Sequence, residues 1–500
     1  MGIPEIKTFI FALFTSATSD MVADCETLIQ QNPWTGITIT SSAEVRDREN
    51  LPGFCQIIGV INPKIGFEAR FPLRDWNDKY YQAGCGGYCG QVLPNRETHS
   101  NAINHALRRS YATITTDGGH QSSSIGDASW ATNENVEKVY AAEVIPRTYA
   151  AARDLIKLLY GKEPAYSYFS GCSNGGRLAA KAAQDYPDLF DGIISGCPVL
   201  NLSKSGGVFA PWVLRANLDG GSNSILDRDF AKKLPMLEKN ALAQCDALDG
   251  TLDGAIQYPE KCAVVLDPIP DCSPRHDQVS CMTIEEKRVV EKLYQGPVNS
   301  AGQKLFYGVP PGSERYWEPW YLGDKENPAI GTLLAEGFLP NLGFPEDPEN
   351  YNVLDFDLDR DLAKLEPQAR LLDALDPDLS AFKESGGKLI MWHGQSDPLV
   401  LPGQSREYYE AVTTEIGQKE TDSFFRLFLV PGMGHCWELP SQMPDQMNIL
   451  QILEKWVEED EAPSQINVTV SGAHEKDDME KITGVLRPYP ALATYTAVKK

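Results

Sequence analysis

The sequence predicts an α/β fold in which a parallel-sheet core is interrupted by a large insertion, and three observations carry that expectation. Short β-rich apolar runs alternate with helical ones from Ile58 to Tyr186, as a series of strand–helix–strand units requires. The rhythm is lost after about Leu200, where Asp, Pro, Gly and local Cys dominate to roughly Glu349, and it returns at Gly387–Trp392 and Phe424–Val430. At 500 residues the chain also exceeds what one simple hydrophobic core fills.

Taken in order, residues 1–23 carry Lys7, the apolar run Phe9–Phe14 and then small residues, the pattern of a secretory signal. Tyr111–Thr116 reads as a buried strand. From Glu137 to Tyr160 apolar residues recur every three or four positions, predicting an amphipathic helix that Pro146 should kink or divide. Tyr166–Ser170 is the next strand and Gly176–Tyr186 the helix after it. Beyond the insertion come the strands already named and a helix over Met443–Glu458. The expected division is a core built from 24–200 and 350–500, with 201–349 inserted.

Between the strand at Tyr166 and the helix at Gly176 lies Gly171-Cys172-Ser173-Asn174-Gly175. Small residues on both sides of Ser173 permit the sharp strand-to-helix turn that exposes a strained nucleophile. Asn174 opens the helix, where its N–H can face a developing oxyanion. Strand, turn and helix in that order specify an α/β-hydrolase core with a large inserted lid domain. A serine of this kind needs a base and an acid to orient it, in the chain order Ser, acid, His. The chain has seven His, and His435 follows the strand ending at Val430 while Asp397 follows the preceding one. Both stand at strand carboxyl ends, where open α/β sheets place their chemistry. His120 and His393 are rival bases, but neither has a suitable acid between itself and Ser173.

Composition narrows the setting. A net charge of −24 repels phosphate backbones, which excludes nucleic acid as a partner, and no run is long and apolar enough for a membrane span. Eleven Cys without paired C-x-x-C sets point to disulfides and a secreted protein, with one thiol left over. Asn201-Leu-Ser203 and Asn467-Val-Thr469 are glycosylation sequons. Cys172 directly precedes Ser173 and Cys436 directly follows His435, so a bond between them would clamp the two loops together.

These blocks, with Leu51-Pro-Gly-Phe-Cys55, Trp76-Asn77-Asp-Lys79, Gly84-Cys-Gly-Gly87, Thr116-Asp-Gly-Gly-His120 and Gly434-His-Cys436, resemble the tannase and feruloyl esterase family across nearly the whole chain. The resemblance implies Ser173, Asp397 and His435 as a catalytic triad and a Cys172–Cys436 bond joining two of its members. It implies a second oxyanion donor in the Gly84–Gly90 loop, at Gly87 with Gly86 next in line. It also implies a structural Ca²⁺ in the lid, held by the side chains of Asp246, Asp249 and Asp253 and the carbonyls of Thr251 and Ala255, with Cys245–Cys262 and Cys272–Cys281 as short staples. From the residues alone, that acidic, Gly-punctuated stretch reads equally as a solvated turn or a hard-cation loop. Cys197 is the expected free thiol, and the pairing of Cys25, Cys55, Cys85 and Cys89 stays open. The C-terminal stretch around Arg487–Pro490 lacks the late Cys pair often found in the family.

The expected reaction is hydrolysis of aromatic acid esters of the feruloyl type, on a small or glycan-linked substrate. Aromatic residues of Tyr316–Tyr321 are candidates to receive the acyl group, or else form lid core. Alternatives on the same scaffold are a galloyl esterase, an acyltransferase or pathway esterase, and a catalytically silent binder of phenolic ligands.

Overall fold

The structure is a computed structural model that describes residues 20–31, 36–48, 50–97, 100–220, 223–273, 278–323, 326–346, 348, 350–436, 439, 447–469 and 481–498. Its central sheet has nine strands: β1 Ile37–Val45, β2 Phe54–Ile61, β3 Ile65–Pro72, β4 Lys79–Ala83, β5 Ala112–Thr116, β6 Tyr166–Cys172, β7 Gly192–Gly196, β8 Lys388–Gly394 and β9 Phe425–Val430. They lie side by side as β1-β2-β3-β5-β4-β6-β7-β8-β9. The β1, β2 and β3 end is antiparallel, and every pairing from β5 to β9 is parallel. The parallel strands β5 and β7 are buried at every position, which is why they read as continuous apolar or small-residue runs rather than alternating ones.

Both faces of the sheet are covered by helices. On one side α1 (Val144–Tyr160) and α2 (Asn174–Asp185) press Leu155, Leu159 and Leu178 onto Phe67, Ile114 and Phe169. On the other, α3 (Ile449–Glu459) sets Leu453 and Trp456 against Tyr168, Ile390 and Phe428. Three further strands, β10 Ile466–Val468, β11 Lys481–Leu486 and β12 Thr494–Val498, form a small antiparallel sheet. This is the expected α/β-hydrolase fold.

The division expected at Pro146 falls earlier. A helical turn over Glu134–Lys138 passes into a π-turn over Val139–Glu143 before α1 begins. A proline lacks the N–H and crowds the carbonyl four residues back, and the widened turn that precedes it absorbs the conflict.

Between β7 and β8 the described chain forms helices, turns and isolated bridges. It has an apolar cluster of its own, built on Phe209, Leu237, Val289, Trp317 and Leu322. Later residues of the same stretch, Phe338, Leu342, Phe356 and Leu372, pack instead with the core beneath the sheet.

Five disulfides form: Cys25–Cys55, Cys85–Cys89, Cys172–Cys436, Cys245–Cys262 and Cys272–Cys281. Cys197 is free and buried. The connectivity left open by the sequence is therefore Cys25 with Cys55 and Cys85 with Cys89. Of the expected signal segment, residues 1–19 lie outside the described residues, while Met21 and Val22 already donate backbone hydrogen bonds to Leu73 and Leu159. No helix among the described residues is long and apolar enough to cross a membrane.

Candidate active site

Ser173 stands between β6 and α2 with φ 61° and ψ −124°. The turn closes this tightly because of the glycines around it: a Cβ on Gly171 would lie 2.5 Å from the backbone of Gly175. Cys197 and Cys436 also have positive φ, 34° and 51°, and their sulfurs lie within 4.8 Å of each other and of Cys172 Sγ. Three non-glycine residues in the left-handed region thus meet at one place, where surrounding packing must hold the strain. Ser100 Oγ, a contact no sequence pattern announces, donates to Cys172 O at 2.5 Å.

His435 sits in the loop after β9, its Nδ1 2.7 Å from Asp397 Oδ2. Asp397 is fully buried, and its Oδ1 accepts the backbone N–H groups of Leu399 and Val400, both at 2.9 Å. Burial by itself would raise its pKa, but the charge and hydrogen bonds of His435 and His393 prevail and hold the carboxyl well below its ordinary range. His393 is the brace beneath the acid: Nε2 donates to Val400 O and Nδ1 accepts from Ser405 Oγ, both at 2.7 Å. His120 bonds Tyr88 O through Nε2 at 2.6 Å and stacks on Trp130; burial pushes its pKa down to about 4. His393 also lies 3.4 Å from Asp397 Oδ2 through Nε2 but is fully buried away from the cavity, whereas His435 both bonds the acid and lines the cavity with Ser173.

Cys172–Cys436 has a Cα–Cα distance of 6.1 Å and spans 264 positions. Chain-entropy reasoning assigns a loop of that length roughly 5 kcal/mol, as an upper figure. Its second consequence is local, since it ties the residue before Ser173 to the residue after His435.

Asn174 is the first residue of α2, so its N–H is one of those the helix ladder leaves without a partner. Gly86 and Gly87 border the same cavity as Ser173. Gly87 has φ 59°, and a Cβ there would lie 2.6 Å from Ile125 O, so the position takes no other residue without strain. The cavity measures about 1070 Å³ and has walls from both core and insertion, among them Val199, Phe209, Val213 and Leu334.

The aromatic segment divides its duties. Trp317 is fully buried in the insertion's core. Tyr316 donates to Gly432 O at 2.8 Å and Tyr321 to Pro398 O, tying the insertion to the base loop and the acid loop. Trp320 and Tyr321 line the cavity, with Trp320 edge-to-face on His435 at 5.6 Å.

In the insertion, Asp246 accepts backbone N–H groups of Asp253 and Gly254 at 3.3 and 3.1 Å. Asp249 accepts from Thr251 N at 2.8 Å and from Gln257 Nε2 at 2.7 Å. Burial raises the pKa of Asp253 to about 6, helped by the neighbouring charges of Asp249 and Asp246, and Asp246 is raised for the same reasons. The Thr251 and Ala255 carbonyls accept no hydrogen bond among the described residues. Three mutually repelling carboxylates beside two unspent carbonyls form a donor set that fits a hard cation. The three carboxylates do not bring one oxygen each within the 4.8 Å in which Cys197, His393 and Asp397 gather.

The α/β-hydrolase fold, with Ser173 and His435 on one cavity and Asp397 2.7 Å behind the imidazole, is that of a serine hydrolase. The family described as tannase and feruloyl esterase matches residues 51–499, and the chain belongs to that family, which makes it a carboxylic ester hydrolase. It is 33% identical over 483 residues to an uncharacterised esterase of Xanthomonas campestris, covering 88% of this chain and 80% of that one. It is 28% identical to the mono(2-hydroxyethyl) terephthalate hydrolase of Piscinibacter sakaiensis, over 89% and 83% of the two chains, and 29% identical to feruloyl esterase B of Aspergillus niger, over 79% and 75%. Among solved structures, an esterase from Aspergillus oryzae superposes with a TM-score of 0.80 at 23% identity, over 95% of this chain and 99% of that one. Feruloyl esterase B from Aspergillus oryzae gives 0.78 at 24%, with the same coverage. These structural likenesses establish the fold.

Proposed function

We propose that the chain hydrolyses esters of phenolic acids through an acyl-enzyme on Ser173. The observation that carries the reading is the His435–Asp397 pair at 2.7 Å in a cavity that Ser173 and His435 share with apolar and aromatic walls. Ser173 attacks the ester carbonyl while His435 takes its proton and returns it to the leaving alcohol; water then repeats the sequence to release the acid. Asp397, held ionised, fixes the imidazole tautomer. The N–H groups of Asn174 and Gly87 receive the oxyanion. The insertion acts as a lid, since it supplies Trp320 and Phe209 to the cavity.

A panel of methyl hydroxycinnamates, methyl gallate and aliphatic methyl esters, compared by kcat/KM, tests the substrate class. At least one aryl ester should exceed the aliphatic ones by about 10-fold to 200-fold, the range an apolar pocket supplies. Equal or better turnover of aliphatic esters would defeat the phenolic reading while leaving the esterase intact.

The second part of the reading is Ca²⁺ held by Asp246, Asp249 and Asp253 with the Thr251 and Ala255 carbonyls. It would supply lid stability rather than chemistry. Gln257 bonds Asp249, and its carbonyl accepts from Gln395 at 2.7 Å, so order in this loop reaches the turn bearing Asp397. The folded pKa of Asp253, about 6 against an ordinary 3.8, means that the metal-free fold binds more protons than the unfolded chain between those values. Stability conferred by this group therefore falls as pH rises through that window. A cation reverses the local field and removes the loss. Calcium should raise Tm more at pH 7 than at pH 4.5, and a chelator should lower Tm more than turnover per folded molecule. An equal shift at both pH values, or none, would overturn the assignment.

Secretion is proposed on the five disulfides. Of the two sequons, Asn467 is exposed on β10. Asn201 is half-buried and caps a helical turn by accepting from Lys204 N, which makes Asn467 the better glycan acceptor.

A further inference from the structure

Arg177 lies one turn into α2 and is fully buried. None of the ion pairs among the described residues includes it, and its donors are spent on neutral acceptors. Nη1 donates to Ala141 O at 2.9 Å and to Leu372 O at 2.8 Å, Nη2 reaches Tyr140 O at 3.3 Å, and Nε donates to Asn174 Oδ1 at 2.8 Å. The guanidinium also stands over the Tyr140 ring, 5.0 Å from its centroid.

Two of those acceptors arise from the π-turn. In that segment Val144 N–H bonds Val139 O, five residues back. In the same register Ala141 O would look to residue 146, which is a proline and has no N–H. Arg177 supplies the missing donor. The fork of the guanidinium is then fixed at one end by the π-turn and at the other by Asn174.

From Asn174 the connections continue to the other oxyanion element. Asn174 Oδ1 also accepts from Tyr140 Oη at 3.1 Å, and its Nδ2 donates to Cys85 O at 3.2 Å. Tyr140 Oη lies 3.3 Å from Gly87 O. One buried cluster therefore touches both the residue that opens α2 and the Gly86-Gly87 turn, which reach the cavity from different parts of the chain.

We propose that Arg177 is a positioning residue of the ester hydrolysis: acting through Asn174 and Tyr140, it fixes the separation and aim of the two N–H groups that receive the oxyanion. It does not touch the substrate. The inference rests on the reading of Ser173 as nucleophile and of Asn174 and Gly87 as oxyanion donors.

The test compares an aryl ester with its thionoester, in which sulfur replaces the carbonyl oxygen. Sulfur is larger and a weaker acceptor, so a well-aimed pair of N–H donors contributes much less to its turnover. Arg177→Lys keeps the charge but cannot serve Asn174 and the π-turn carbonyls together. Tyr140→Phe removes the hydroxyl between Asn174 and Gly87 but keeps the ring beneath the guanidinium and the backbone carbonyls that Arg177 bonds, so it tests the same cluster if the Arg177 variant fails to fold. Each preparation is first titrated with a fluorophosphonate, and rates are expressed per labelled Ser173.

Both variants should lower kcat on the oxygen ester by about 10-fold to 100-fold, below the 10²- to 10³-fold cost of deleting an oxyanion donor. KM should change less than about threefold, and thionoester turnover should fall much less, so that the preference for oxygen over sulfur shrinks. Loss of both substrates by one common factor, or no loss on either, would overturn the positioning role. Failure of the underlying reading looks different: wild-type protein would then not be labelled at Ser173, or would not discriminate between ester and thionoester.

Discussion

Ser173→Ala is expected to leave a folded protein with esterase turnover lower by roughly 10⁴- to 10⁶-fold, the range seen when the nucleophile of such a triad is removed. The hydroxyl is the only atom lost. The turn around it is fixed by Gly171 against Gly175 and by the bond from Ser173 N to Gly196 O at 3.0 Å, none of which involves Oγ. Alanine also relieves nothing of the φ of 61°, so the strain and the fold should persist. Thermal unfolding and circular dichroism close to wild type, with the five disulfides intact, would show that loss of rate is loss of chemistry. Retained turnover would remove Ser173 from the mechanism.

Asp397→Asn should cost about 10⁴-fold in kcat, and the structure states why so small a change is so costly. Oδ1 is committed to the N–H groups of Leu399 and Val400, so the amide of the variant must keep its oxygen there and turn its NH2 toward His435. Nδ1 then has to accept rather than donate. The ring proton moves to Nε2, and the nitrogen that should take the proton of Ser173 is already occupied. KM should change little, because the acid does not line the cavity. Near-normal kcat in the variant would mean that Asp397 does not set the tautomer.

Much of this arrangement was legible in the sequence for reasons that can be named. The elbow at Ser173 is local, since glycines, strand and helix are all contiguous there. The contact between Asp397 and His435 follows from their places just beyond β8 and β9, and the Cys172–Cys436 bond, suggested by adjacency to Ser173 and His435, was implied by the family resemblance. What the sequence could not supply were contacts made across the fold. Ser100 and Tyr140 are ordinary residues until β4, α1 and α2 are brought together, and nothing in the spacing of Arg177 from Pro146 announces that one completes a carbonyl left by the other. The break before α1 shows a different limit. Pro146 predicts a disturbance but not which turn widens; the π-turn falls over Val139–Glu143, where Arg177 meets the carbonyls of Tyr140 and Ala141. In the insertion, where no period rules, composition suggested an acidic loop and aromatic surfaces. The structure separates Trp317, which is insertion core, from Trp320, which meets His435.

The bond between Cys172 and Cys436 has a consequence for the chain as a whole. The insertion leaves after β7 and returns before β8, and both points fall between these two cysteines, so every peptide bond of the insertion belongs to a covalent ring. A protease that cuts once within that ring opens it without dividing the molecule. The fragments bearing Ser173 and His435 would travel together until the disulfide is reduced. A single nick in the insertion would therefore leave Ser173 and His435 on one connected piece.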